Sequence, residues 1–186
     1  MPMEIVLRCA LTDRPGALAA LAGAVGEAGG DIQSVEVLEH DGGEALDDLV
    51  VVIQPSALGN LLDRLAGMPD VELLHAGPSR GHPGDAVSRL AIGFEALLAG
   101  TMPPERAIVT LVGGLLRASS AEVCSPVDAP RGGRRTLVVP LDDTALVVRR
   151  DYPFTAAERE RAVTVAQACV RAAAVGQSSL GSSSPG

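Results

Sequence analysis

Apolar positions in the first 76 residues change period repeatedly. Residues 4–10 carry the apolar core Ile5-Val-Leu7 and read as a strand. From Gly16 to Ala28 the spacing lengthens, with Leu18, Leu21, Ala22 and Val25 at i, i+3, i+4 and i+7 and Gly29 placed to end a helix. Residues 32–39 alternate, Val35 and Val37 against Ser34 and Glu36, and the turn signal Asp41-Gly-Gly43 predicts a hairpin to a third strand over 46–53. Pro55-Ser56 opens a second helix with Leu58, Leu61, Leu62 and Leu65 on one face, and residues 71–75 read as a last strand. The order β-α-β-β-α-β predicts a ferredoxin-like α+β domain over residues 1–76.

Glycine and proline then crowd residues 77–84, which read as a linker. Beyond it, residues 85–98 and 104–118 have helical spacing, and residues 121–124, 135–141 and 144–149 read as strands, the last two joined by a hairpin at Asp142-Asp143. A long helix follows from Thr155, which with Glu158 forms a capping box. Residues 85–175 therefore predict a second, smaller α+β domain. The Ser- and Gly-rich residues 176–186 predict a disordered tail.

Charge separates the two halves. Residues 1–76 hold 13 acids against 3 arginines, and residues 77–186 hold 10 acids against 12, for a net charge of −8 overall. All 15 basic residues are arginine, which leaves no lysine for a Schiff base or a phosphate loop. With no Trp, one Tyr and two Phe, platforms for stacking nucleic-acid bases are missing, and the acidic first half argues against nucleic acid as a partner. The longest apolar run, residues 107–116, is too short to span a bilayer, so no membrane partner is predicted. No basic segment with an apolar stretch precedes the first strand, and the odd set Cys9, Cys124 and Cys169 reads as free thiols in a reducing compartment. Both predict a cytoplasmic protein.

The chemistry concentrates between the first strand and the first helix. A strand that runs through Leu11 into Asp13-Arg-Pro-Gly16 and turns at once into a helix leaves the first N–H groups of that helix open for a small anion, such as an amino-acid carboxylate. With the β-α-β-β-α-β order, the segment Asp13-Arg-Pro-Gly16-x-Leu18 and the later Gly29-Gly-Asp31-Ile32 make residues 4–76 resemble the ACT domain, a regulatory module that binds amino acids. The resemblance implies a homodimer paired side by side into one eight-stranded sheet. It also implies an effector at the seam, between Leu11, Asp13 and Gly16 of one protomer and Asp31 of the other. Asp13 and Asp31 stand where members often carry amides, an arrangement that repels a carboxylate and attracts an ammonium. Read for structure alone, Pro15 and Gly16 are turn residues, Asp13 is a charge at a helix start and Asp31 solvates a strand end. In the second half, Leu137-Val-Val-Pro-Leu141, the strand Ala145 to Arg149 and Tyr152-Pro-Phe-Thr155 before the long helix are similar to the closing third of a GAF domain. Residues 85–175 are short for that family, which implies a degenerate GAF-like domain with a reduced or absent pocket and leaves a small α+β dimerisation domain as the other reading.

No catalytic set is legible. His40, His75 and His82 share no metal-ligand spacing, so no metal and no cofactor are predicted. Gly23, Gly26, Gly29 and Gly30 do not have dinucleotide-loop spacing and read as close helix packing, and Arg131, Arg134 and Arg135 as a solvated hairpin flank. The expectation is a non-enzymatic regulatory protein whose ACT-like domain dimerises and binds a small amino acid, with a partner enzyme or regulator as a further candidate. The alternative is a purely structural dimerisation module or a detached regulatory subunit of an enzyme.

Overall fold

A computed structural model describes residues 1–79 and 83–181, and the chain divides into two compact units, Met1–His82 and Pro83–Gly186. In the first, β1 (Met3–Thr12), β2 (Asp31–Asp41), β3 (Glu44–Ile53) and β4 (Val71–Pro78) form one antiparallel sheet in the order β2-β3-β1-β4. Helices α1 (Ala17–Glu27) and α2 (Leu58–Ala66) complete the predicted order, the second preceded by a short 3₁₀ turn, Pro55–Ala57.

Strand parity decides the core. Ile5, Leu7, Cys9 and Leu11 of β1 and Leu49, Val51 and Ile53 of β3 pack in one buried cluster with Leu21 and Val25 of α1 and Leu61 and Leu65 of α2. On the other face of the sheet the register partners Arg8 and Asp48 form a two-pronged ion pair, Nε to Oδ1 at 2.7 Å and Nη2 to Oδ2 at 2.8 Å, with both residues buried.

Three details depart from the sequence reading of this unit. Leu18 is exposed, because the buried stripe of α1 runs through Ala17, Leu21 and Val25. A Cβ on Gly23 or Gly26 would meet nothing within 4 Å, so these glycines are not close-packing sites; Gly30 is one, its Cβ position lying 2.8 Å from Val25 Cγ1. The last strand extends past His75 to Pro78, since β1 pairs as far as Ile5 with Pro78 and the Ser79 N–H donates to the Glu4 carbonyl at 3.0 Å.

The second unit contains α3 (Pro83–Leu98), α4 (Pro104–Leu115), the antiparallel strands β5 (Ser120–Cys124), β6 (Thr136–Pro140) and β7 (Ala145–Arg149) in the order β5-β7-β6, and α5 (Ala156–Gly181). The capping box forms as expected. Glu158 N–H donates to Thr155 Oγ1 at 3.0 Å, and Thr155 N–H donates to Glu158 Oε2 at 2.9 Å. Glu158 also anchors Arg150, whose buried guanidinium donates to both its oxygens and to the Leu116, Tyr152 and Pro153 carbonyls, and stacks 4.1 Å from the Tyr152 ring and 4.0 Å from the Phe154 ring. The helix does not stop at Gly176, contrary to the expected tail. That glycine is a contact, since a Cβ there would sit 2.8 Å from the Leu97 carbonyl oxygen; α5 runs on to Gly181, and only residues 182–186 of the tail lie outside the described residues.

Candidate functional site

The loop joining β1 to α1 is held by three hydrogen bonds to two residues, Asp70 and Gly43. Thr12 N–H donates to the Asp70 carbonyl at 3.1 Å, Asp13 N–H donates to the Gly43 carbonyl at 2.7 Å, and the Arg14 guanidinium donates to the Asp70 carboxylate. The Arg14 bond is also the main reason the Asp70 carboxyl is held below its ordinary range. Gly16 then takes φ = 91°, a left-handed conformation that suits glycine, and caps α1 with no side-chain hydrogen bond to the first turn. The loop is thus preformed, and the positive end of α1 has no side-chain cap.

The four residues singled out in the sequence occupy two places. Leu11, Asp13 and Gly16 gather at one end of the sheet, where Leu11 is a core residue at 2% exposure and therefore forms the floor rather than a contact surface. Asp13 is half exposed and lies 3.5 Å from His40 Nδ1 at the far end of β2. Asp31 begins β2, pairs with Val52, and accepts a 2.6 Å hydrogen bond from Gln33 Nε2. Because Asp41 at the other end of β2 pairs with Glu44, Asp13 and Asp31 of one chain stand about 30 Å apart at 3.4 Å per residue. No single chain brings them together.

β2 is an edge strand, and its Val35 and Val37 are 41% and 49% exposed. One strand inward, Asp47 is the register partner of both Val37 and Cys9. It is 2% exposed, and its Oδ1 has no hydrogen-bond partner. Burial pushes its carboxyl up, His40 pulls it down and Asp48 pushes it up again. Beside it the Cys9 thiol is pushed up to about 12, chiefly by burial and then by the two aspartates, so it is an unreactive thiol at neutral pH. All three cysteines are free.

Residues 5–70 match the ACT domain family model. The ACT match thus covers β1 through α2 and includes the preformed loop, Asp31 and Asp47. Solved structures similar to the chain include the ACT domain of GTP pyrophosphokinase from Chlorobium tepidum, at 16% identity over 42% of this chain and 100% of that one, with a TM-score of 0.35. The regulatory subunit of aspartate kinase from Thermus thermophilus is similar at 13% identity over 91% of this chain and 92% of that one, TM-score 0.36. An unknown protein from Galdieria sulphuraria is similar at 14% identity over 97% and 95%, TM-score 0.38. No curated protein matches the sequence.

Two residues of this end were not singled out by sequence reasoning. Asp47 could have been found by parity, since in Ala45, Asp47, Leu49, Val51 and Ile53 it is the lone acid on the core-facing positions of its strand. His40 could not, because its approach to Asp13 depends on the tertiary pairing of the loop with the hairpin turn. His82 lies outside the described residues. Among the described residues no group of three or more His, Cys, Asp or Glu side chains could hold a metal ion, and no helix is long and apolar enough to cross a membrane.

Surface cavities among the described residues of the second unit include two of note. One, of about 300 Å³, is lined by Pro104, Ile108, Leu141, Asp143 and Val170 among others. The other, of about 230 Å³, lies along α3 and α4 with Leu90, Gly93, Met102 and Leu111 in its wall and is almost wholly apolar. Arg131, Arg134 and Arg135 are exposed, as a solvated flank requires.

Proposed function

We propose that this chain is a non-enzymatic regulatory protein whose ACT-type unit pairs with a second copy through β2 and binds a small amino acid at the resulting seam. The observation that carries the reading is the juxtaposition at one end of the sheet: an open edge strand with exposed Val35 and Val37, beside a preformed loop and a helix N-terminus with no side-chain cap. An edge strand presents a row of unpaired N–H and C=O groups, and pairing with a second β2 would satisfy them. Antiparallel pairing about a two-fold axis carries the start of one β2 toward the end of the other, so Asp31 of one protomer approaches Asp13 and Gly16 of its partner. The carboxylate of the effector would then meet the α1 N–H groups, and its ammonium the acids.

Ligand bridging two protomers makes contacts that neither makes alone, and so shifts the pairing equilibrium or its rigidity. In this reading the second unit is a GAF-like partner that relays the change or docks an enzyme or regulator. Supporting it are the three-stranded antiparallel sheet and the helix capped at Thr155. Light scattering of the full chain at micromolar concentration tests the pairing, with a mass of twice 18.9 kDa expected. A monomer would remove the seam. A dimer whose stability responds to no amino acid would leave the structural pairing module.

A further inference from the structure

We propose that Asp47 adds, beside the seam acids Asp13 and Asp31, a buried acceptor for one N–H of the ammonium group of the amino acid bound beside α1, approached from the open edge at β2. This rests on the reading that an amino acid binds at the seam. β3 carries two consecutive acids whose treatment differs sharply. Asp48 faces one side of the sheet and is bonded by both its oxygens to Arg8. Asp47 faces the other side, with the core residues Leu49 and Cys9, and its Oδ1 is sealed from solvent without a donor. A carboxylate in that condition costs the fold free energy unless something supplies a donor, so its position calls for an explanation.

Among the described residues nothing supplies that donor. His40 acts on Asp47 only through its charge, and its own ring nitrogen lies 3.5 Å from Asp13. The Cys9 thiol is its register partner but makes no hydrogen bond to it that would satisfy Oδ1. Among the described residues Asp47 belongs to no group of three or more His, Cys, Asp or Glu side chains that could hold a metal ion. Only a shallow layer of side chains lies toward the edge: Val37, the neighbour of Asp47 on β2, is 49% exposed and His40 is more than half exposed, so a ligand at the edge reaches Oδ1 by displacing these side chains. The site would then have two poles. The α1 N-terminus, which follows β1, favours a carboxylate, and Asp47, on the strand paired with β1, favours a primary ammonium, which together fit a zwitterion rather than a simple anion.

The test is titration calorimetry of the full chain with the common amino acids, repeated for each binder with its deaminated carboxylic acid and with the Asp47→Asn and Asp47→Ser variants. We expect the deaminated acid to bind the wild-type protein at least tenfold more weakly, and both variants to lose at least tenfold in affinity for the amino acid. Urea midpoints no lower than wild type separate lost binding from lost fold. If a wild-type binder keeps its affinity within twofold in a folded variant, or binds equally without its amino group, the role of Asp47 is overturned while the seam reading stands. If the wild-type protein binds no amino acid, both are overturned.

Discussion

Replacing Asp47 with Asn should make the protein more stable at neutral pH, an unusual direction for a change at a buried position. The carboxyl is 2% exposed, and its Oδ1 has no donor. Its proton affinity is raised mainly by burial. A group whose folded pKa lies above its unfolded value binds more protons in the native state. Stability is therefore greatest below the unfolded value, near 3.9, falls as pH rises through the window between the two values, and is flat above the folded one. Asn keeps the shape and removes the charge, but leaves a polar amide to be satisfied. From the 1–3 kcal/mol that an unsatisfied buried polar group costs, the net gain at pH 7 should be about 1 kcal/mol. For a unit of this size that corresponds to roughly 4–8 °C in Tm. Urea unfolding followed by circular dichroism at pH 4 and pH 7 reads it directly. Wild type and variant should converge at the lower pH and separate at the higher. A variant less stable than wild type at pH 7, or a difference independent of pH, would refute the reasoning.

Other changes have definite signs. Asp48→Ala removes the counter-charge of the buried Arg8 guanidinium and should cost about 3–5 kcal/mol in denaturant melts, whereas the double change Arg8→Met with Asp48→Leu should recover most of it. Glu158→Ala removes both the capping partner of Thr155 and the counter-charge of Arg150, and should destabilise the second unit by about 3–5 kcal/mol, seen as an early transition in thermal melts. Gly23→Ala and Gly26→Ala, where a Cβ meets nothing within 4 Å, should each raise stability by roughly 0.5–1 kcal/mol.

Most of the fold was legible because strands and helices bury one face and the period of burial is written in the residues. Residues 4–10 and 46–53 alternate or run apolar, and both became strands of the predicted sheet. The errors have physical causes. Leu18 fits a helical stripe on paper, yet the helix begins at Ala17 with a different face inward, and a one-residue phase change exposes it. Gly77 and Pro78 look like linker, but β1 is long enough to pair with them. Gly176 resembles a helix stop, but a glycine can equally mark close approach, here to the Leu97 carbonyl. At the candidate site, Asp13 and Gly16 were legible because turn chemistry is local. The Asp13–His40 approach and the Asp70 anchor of Arg14 join residues 27 and 56 positions apart and leave no local trace.

The seam account is tested most directly by the thermal shift of the full chain with the common amino acids, measured in parallel on wild type and on Val37→Lys, which places a charge on the open edge of β2. At about 100 times its dissociation constant an effector stabilises the native state by roughly 2.7 kcal/mol, which should raise the Tm of the wild-type protein by about 5–10 °C. The Val37→Lys protein should show no shift with the same amino acid. Equal shifts in the two proteins would contradict an effector bound between paired β2 strands.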